Sequence, residues 1–487
     1  MSHEPQNLSK NPEQRSQKVH FIGICGIAMS AVATALWSKG YKVTGSDSGF
    51  FPPVSTQLSN LGIPYYPGFH PEKMVSPELG GVPDFVVVGN VISTKNPEFL
   101  YIQEKGIPYK SFPEIVGEYL VKPHSIVCTG TYGKTTSSAL LSHILKSADF
   151  KPSYLIGGIT QDNSPSATID TGEWSVCEGD EYTTAKWDAL PKFMHYKPTH
   201  LMMTAVKWDH ADVYPTEESY FDAFKKLIDF VPKSVAPHDG LILACIDTEK
   251  LPQLLTEAGR EYVSYGKTEG ADYTYKEVKE SKNGISFDIS YHGKEYHIES
   301  PLLGSYNAEN ITGCFAMAKE IGISPSEITD AIKSFNGMKR RLEKRYEHEV
   351  TVIDDIAHSP EKAKSVLKTL RTIYKGSITA IYEPNSGNRT PQSKPAYKDA
   401  FKDADIVVIP RLTKLKSDAL NPEKTFEGDE LAQTISESHP NTLYIEDDVN
   451  LVEHISTNHA VDDVIVFLGS HGFRGMIEET VEKVAKL

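Results

Sequence analysis

The chain has 487 residues, with 65 acidic against 50 basic side chains and a formal charge of −15 at pH 7. That length is too great for one core, and that charge speaks against nucleic acid as the main partner, because neutralising phosphates needs a concentrated basic surface. Five scattered cysteines without C-x-x-C spacing argue for reduced thiols rather than a disulfide framework or a zinc site, and no signal-peptide pattern or membrane-length apolar run is present. A cytoplasmic protein of two or three domains, with no membrane insertion, is the expectation.

Residues 19–22 read as a short apolar strand, followed by Gly23-Ile24-Cys25-Gly26-Ile27-Ala28-Met29 and an Ala-rich helix to about Lys39. The next strand, 41–46, ends at Asp47. A strand, glycine turn, helix and strand with an acid about twenty positions after the glycines is the dinucleotide-type unit: the helix start takes a pyrophosphate and the carboxylate a ribose hydroxyl. Cys25 and Ala28 stand where further glycines are usual, so a tight structural turn is the alternative. Phe85–Val88 gives a third buried strand, closed by Gly89-Asn90.

Residues 127–136 read Val-Cys-Thr-Gly-Thr-Tyr-Gly-Lys-Thr-Thr, between an apolar strand (125–128) and an apolar helix (137–145). This is a phosphate cradle. Backbone N–H groups of such a turn converge on phosphate oxygens at a helix N-terminus, Lys134 offers a point charge to the β/γ-phosphates, and the Thr135 hydroxyl can ligate Mg²⁺. Cys128 stands where the first glycine of the common spacing would be, and Gly130 comes two residues later.

Further strands are expected at 174–178, 200–204 and 241–244, with short alternating strands over 272–298 and a helix over 308–321. Glu178, Asp180 and Glu181 follow one strand and Asp209-His210-Ala211-Asp212 another, at the ends where parallel sheets present ligand groups. Hard oxygen ligands there suit Mg²⁺ beside Thr135; for Glu178, Asp180 and Asp212 the alternative is N-caps and solvated loop acids. Asn307 and Asn310 lie three apart at a helix start, suited to touching a nucleotide.

The pattern breaks near Phe335-Asn336-Gly337. Beyond it Lys339-Arg340-Arg341-Leu342-Glu343 brings adjacent cations, and Asp354-Asp355-Ile356-Ala357-His358-Ser359-Pro360 ends a strand with acids and a histidine. Strand 350–354, helix Pro360–Ile373, strand 377–382, helix 396–401, strands 405–410 and 464–468 and a final helix predict a third, largely parallel α/β domain. The resulting division is 1–122, 123–336 and 337–487.

Taken in order, T-G-T-x-G-K-T-T, D-E-Y, D-H-A-D, N-x-x-N, R-R-L-E and D-D-x-A-H make the chain resemble the Mur ligases, the ATP-dependent amide-forming enzymes of peptidoglycan assembly, from His20 to about Val484. The resemblance implies an α/β fold of three domains: a Rossmann-like UDP-binding domain, a central P-loop ATPase-like domain and a C-terminal Rossmann-like domain. It implies a UDP-sugar site at Gly23, Gly26, Met29, Asp47, Asn90 and Ser93, and ATP phosphates at Gly130, Thr131, Gly133, Lys134, Thr135 and Thr136. It further implies Mg²⁺ at Thr135, Glu181 and His210, with Asn307 and Asn310 near adenine and ribose. Arg341 and Asp355 would come from the third domain to complete the site, with a hinge near Asn336-Gly337 and His358 or Asp355 as base for the amine.

Gly23-Ile24-Cys25-Gly26 and Gly45-Ser46-Asp47 place the chain with ligases acting on UDP-N-acetylmuramate. Two branches compete: one adds L-alanine, the other, a recycling branch, adds the tripeptide L-alanyl-γ-D-glutamyl-meso-diaminopimelate. Phe51-Pro52-Pro53-Val54-Ser55-Thr56, Asn96-Pro97-Glu98, Asp180-Glu181-Tyr182, Asp209-His210-Ala211-Asp212 and Glu383-Pro384-Asn385-Ser386 are more similar to the recycling branch, which is the favoured expectation, as a monomer or weak homodimer. Tyr132, Ala205 and Ser359 depart from the family habit of His, Asn and His. Other readings are an NAD-dependent dehydrogenase built on the first glycine loop, which leaves Lys134 unexplained, and a nucleotide sensor without catalysis.

Overall fold

The computed structural model describes residues 17–50, 54–208, 213–233, 240–248, 250–413 and 425–486. By internal packing the chain forms two compact units, Met1–Val278 with Phe287–Ser300 and Tyr306–Phe335, and Lys279–Ser286 with Pro301–Ser305 and Asn336–Leu487.

The first unit carries two large sheets and a two-stranded ribbon of Thr183–Ala185 with Asp188–Pro191. One has five parallel strands in the order Tyr65–Pro67, Lys42–Asp47, Lys18–Ile22, Phe85–Val88 and Tyr109–Ser111. Its central strand is buried on both faces, with Val19 and Phe21 in one core and Ile22 in the other, as a parallel sheet covered by helices requires. The helix Ile27–Ser38 packs its alanines and Leu36 on the first of these cores.

The other sheet centres on His124–Thr129, flanked by His200–Met203 on one side and Trp174–Gly179 on the other, all parallel. The strand order reverses across the central strand, so its C-terminal end is a switch point where an open α/β sheet leaves a crevice. From His200–Met203 the sheet continues through Leu241–Cys245 and Val263–Gly266 to Tyr273–Ser281, Gly284–Tyr291 and Lys294–Ser300, the alternating strands expected from sequence.

The second unit holds a six-stranded sheet in the order Glu343–Glu347, Thr351–Asp355, Val464–Gly469, Ile378–Glu383, Ile406–Pro410 and Thr442–Ile445. All pairs are parallel except the first. The expected helix at 396–401 is not formed. The chain instead makes a 3₁₀ stretch, Pro391–Tyr397, and turns follow it, with Asp399 at φ +57°, a left-handed conformation that no right-handed helix accommodates. Helices Pro325–Ser334, Gly428–Ser436 and Asp448–Thr457 were not expected from sequence, although Ser324 and Glu327 form a capping box and Asp447 caps its helix.

Candidate active site

Parallel pairing puts the C-terminal ends of His124–Thr129, Trp174–Gly179 and His200–Met203 on one edge, and the glycine turn Gly130–Gly133 leads from that edge into the helix Lys134–Ser147. Gly133, the N-cap, takes φ +83°, and a Cβ there would run into the Asn310 side-chain oxygen. Only glycine fits both demands. The Asn310 amide also donates to Asn307 Oδ1 at 3.1 Å, so the two amides expected to meet a nucleotide sit together, buried, against the turn.

Lys134 stands at the first helical position. Its ammonium donates to the Gly130 carbonyl at 2.6 Å and lies 3.0 Å from Glu181, whose side chain is fully buried. The Tyr214 hydroxyl donates to the Glu181 carbonyl at 2.5 Å. The Thr135 hydroxyl donates to Glu178 Oε1 at 2.8 Å, and the other Glu178 oxygen accepts the Gly157 N–H at 2.7 Å. A Cβ on Gly157 would collide with that carboxylate, so glycine is what lets backbone and acid approach. A hydroxyl and two carboxylates are hard oxygen donors, a set that fits Mg²⁺ beside bound phosphates. Thr136 lies in the first turn of the same helix. His210, with the rest of 209–212, lies outside the described residues.

The turn is tied to its neighbouring strand as well. Thr131 N–H donates to the Ala205 carbonyl at 2.8 Å, the Thr131 hydroxyl to the Lys207 carbonyl at 2.6 Å, and the Thr204 hydroxyl to the Tyr132 carbonyl at 2.5 Å. Two of the unusual positions, Tyr132 and Ala205, therefore enter these bonds through their backbone, which any side chain would permit.

At the first glycine turn, Gly23 and Ile24 N–H groups donate to the Ser46 carbonyl at 2.8 and 3.1 Å, and Cys25 N–H to Asp47 Oδ2 at 2.8 Å. Gly26 caps the helix Ile27–Ser38. Asp47 thus has one oxygen on the turn and the other on Ser48 N–H. Beneath them Glu98, fully buried, accepts from Ser46 Oγ at 2.5 Å, Tyr66 OH at 2.6 Å and His70 N–H at 2.7 Å. Burial would raise its pKa, but His20, Ser46 and Tyr66 hold the carboxyl below its usual range.

A cleft of about 330 Å³ extends from the start of the first glycine-turn helix to Glu178, the acid that holds Thr135, and is lined by Gly26, Met29, Asn90, Glu178, Asp180 and Lys192 among others. Ser93 is exposed and its hydroxyl accepts Lys95 N–H. Lys192, which the sequence reading passed over, lies 2.6 Å from Asp180. Burial works to raise Asp180, and the Lys192 ammonium holds it below its usual range.

Family models match along most of the chain: the Mur ligase family catalytic domain at 18–122, the Mur ligase middle domain at 128–318 and the Mur ligase glutamate ligase domain at 340–471. The chain belongs to the Mur ligase family. Among its relatives, the UDP-N-acetylmuramate–L-alanine ligase of Anaeromyxobacter sp. (strain Fw109-5) is 31% identical over 81% of this chain and 82% of its own length. The UDP-N-acetylmuramate–L-alanyl-γ-D-glutamyl-meso-2,6-diaminoheptandioate ligase of Haemophilus influenzae is also 31% identical, over 76% of this chain and 80% of its own. In structure, the UDP-N-acetylmuramate–alanine ligase of Thermotoga maritima covers 96% of this chain and 99% of its own with a TM-score of 0.76 at 22% identity, a likeness of fold.

This Mur ligase is thus an ATP-dependent enzyme joining an acid to an amino group, which replaces the dehydrogenase reading. The second unit of the ligase sets its own groups on the carboxyl edge of its sheet. Asp355 accepts Leu342 and Ala357 N–H groups, each at 2.8 Å, and burial lifts its carboxyl to about 6. His358 Nδ1 lies 2.8 Å from the Ile356 carbonyl, which can only accept, so the proton sits on Nδ1 and leaves Nε2 as the basic atom. Burial also lowers the His358 pKa, favouring the neutral ring. Ser359, the third unusual position, caps the helix Pro360–Ile373 by accepting Lys362 N–H.

Of the adjacent cations, Arg340 is the one folded inward, onto Asp354 and the carbonyls of Gly469, Ser470 and His471, whereas Arg341 is exposed. On the same edge Glu383, buried, lies near Arg389 and Arg474, and Arg474 and Arg411 share Asp448. Arg389 was visible only as a residue shortly after Glu383-Pro384-Asn385-Ser386, and Arg474 carried no spacing signal.

Proposed function

We propose that this ligase joins the lactyl carboxylate of UDP-N-acetylmuramate to the amine of L-alanyl-γ-D-glutamyl-meso-diaminopimelate. One observation carries the sugar-nucleotide half: a single cleft is lined both by the start of the glycine-turn helix (Gly26, Met29) and by Glu178, the acid on Thr135. A UDP-sugar held at Gly23, Gly26, Asp47, Asn90 and Ser93 would direct its carboxylate at the phosphate turn. The working division into domains remains 1–122, 123–336 and 337–487.

A carboxylate does not acylate an amine unaided, so one of its oxygens would first attack the γ-phosphorus of ATP, releasing ADP and leaving an acyl phosphate. Lys134 would leave Glu181 for the transferring oxygens and spread their charge. Mg²⁺ held by Thr135 and Glu181 would add positive charge at the phosphates, and Asn307 and Asn310 would meet the nucleoside. The amine nitrogen then attacks the acyl carbon and inorganic phosphate departs. His358 Nε2, neutral and unprotonated, suits removal of the amine's proton better than Asp355, both of whose oxygens already accept N–H bonds.

The tripeptide is preferred to L-alanine because it carries several carboxylates, and Arg411 and Arg474, both partly exposed, stand with their shared Asp448 at the carboxyl edge of the second unit's sheet. Phosphate release with UDP-N-acetylmuramate, ATP and either amine tests this. Turnover is expected with the tripeptide; stimulation by L-alanine alone would make the chain an L-alanine ligase instead.

A further inference from the structure

The cleft between the first glycine-turn helix and Glu178 is crowded with negative charge. A substrate carboxylate brought there would lie among Glu178 and Asp180, both lining the cleft. At close range in a partly desolvated site each like charge opposes its arrival. Lys134 is engaged elsewhere, on Gly130 and Glu181. Among the described lining residues Lys192 is the cation.

Lys192 opens the short 3₁₀ segment Lys192–Tyr196, anchored beneath by Phe193 and Tyr196, both essentially buried. Its N–H donates to the Tyr182 carbonyl at 2.9 Å and that of Phe193 to the Asp180 carbonyl at 3.2 Å, so the segment is fastened to the D-E-Y loop on the backbone level. The side chain is largely covered, with 14% of it exposed, and its ammonium sits 2.6 Å from Asp180 Oδ2. Asp180 Oδ1 in turn accepts Tyr182 N–H at 3.0 Å. An ammonium carries three N–H donors, so one bond to Asp180 leaves capacity for a second carboxylate without breaking the pair. A buried stem and a fixed partner also mean that little rotamer entropy is lost when that second carboxylate arrives.

We propose that Lys192 is the residue that receives the lactyl carboxylate of the sugar nucleotide and distinguishes a carboxylated sugar from a neutral one. The inference rests on the sugar-nucleotide assignment above. Asp180 acts as a positioning residue in this arrangement, fixing the ammonium at the cleft wall, and of this pair Lys192 is the one that touches the carboxylate.

The test is a pair of affinities, for UDP-N-acetylmuramate and for UDP-N-acetylglucosamine, which lacks the lactyl carboxylate, measured calorimetrically on the wild type, Lys192→Met and Lys192→Arg. The wild type should prefer the carboxylated ligand by about 10- to 100-fold, the worth of a charge-assisted hydrogen bond. Lys192→Met should erase that preference while leaving the affinity for UDP-N-acetylglucosamine and for ADP within about twofold, and Lys192→Arg should restore much of it. A wild type that does not prefer the carboxylated ligand would remove the sugar-nucleotide assignment itself. A wild type that does, beside a Lys192→Met variant that keeps the preference, would overturn the role of Lys192. Should Lys192→Met not fold, Lys192→Gln with unchanged ADP affinity serves the same comparison.

Discussion

The two glycine turns of the first unit are built alike and equipped differently. Each follows a strand with a parallel neighbour on either side and opens a helix, at Gly26 in one case and Gly133 in the other. At the phosphate turn, side chains reach in from elsewhere in the chain: Glu178 from a neighbouring strand onto Thr135, Glu181 from the loop after it onto Lys134, and Asn310 from the helix Asn307–Glu320 against Gly133. At the first turn the backbone itself is what is held, with Gly23, Ile24 and Cys25 N–H groups on Ser46 and Asp47, and the clamp, Glu98, is buried underneath. A turn meant to recognise a pyrophosphate needs a rigid backbone; one meant to transfer a phosphoryl group needs movable charge.

Removing the movable charge should have the largest effect. Lys134→Ala is expected to lower turnover about a thousandfold, with UDP-sugar affinity within about twofold because the first turn is a separate unit of hydrogen bonds. Retained turnover in a phosphate-release assay would end the phosphate-turn assignment. The first turn should respond in the opposite way, through stability. Glu98→Ala leaves the Ser46, Tyr66 and His70 donors without their acceptor and should cost about 3 kcal/mol in urea unfolding. Glu98→Gln, which keeps one accepting oxygen, should cost less. An alanine variant as stable as the wild type would show that the turn is not clamped from below.

The smallest effect concerns Cys25. Burial, with the Asp47 carboxylate beside it, pushes this thiol up to about 12, so the neutral thiol prevails at pH 8 and thiolate accumulates only several units higher. Alkylation by iodoacetamide, followed by mass spectrometry, should be slow at pH 8 and quicken as the pH rises. Fast labelling of Cys25 at pH 8 would mean that the turn opens readily.

Much of the phosphate turn was legible because its residues are contiguous: strand, glycine, lysine, threonine and helix follow within a few positions, and Glu178 and Glu181 come at and just after a strand end. The helix expected at 396–401 does not form because Asp399 takes φ +57° there, a left-handed turn that the local apolar pattern does not reveal. Gly428–Ser436 and Asp448–Thr457 escaped because their apolar stretches are short, so that local caps at Glu427 and Asp447 need packing on the sheet to complete the helix.

By itself, the sequence determined the family, the three α/β blocks and the two turns, because motif order and local periodicity are written along the chain. The tertiary structure alone decided which groups stand together across long separations: Glu98 with Ser46, Lys134 with Glu181, Arg474 with Glu383, and the cleft that Lys192 lines together with Glu178 and the start of the glycine-turn helix. Parallel pairing is the physical reason, since it brings distant strand ends to one edge without leaving any mark in local spacing.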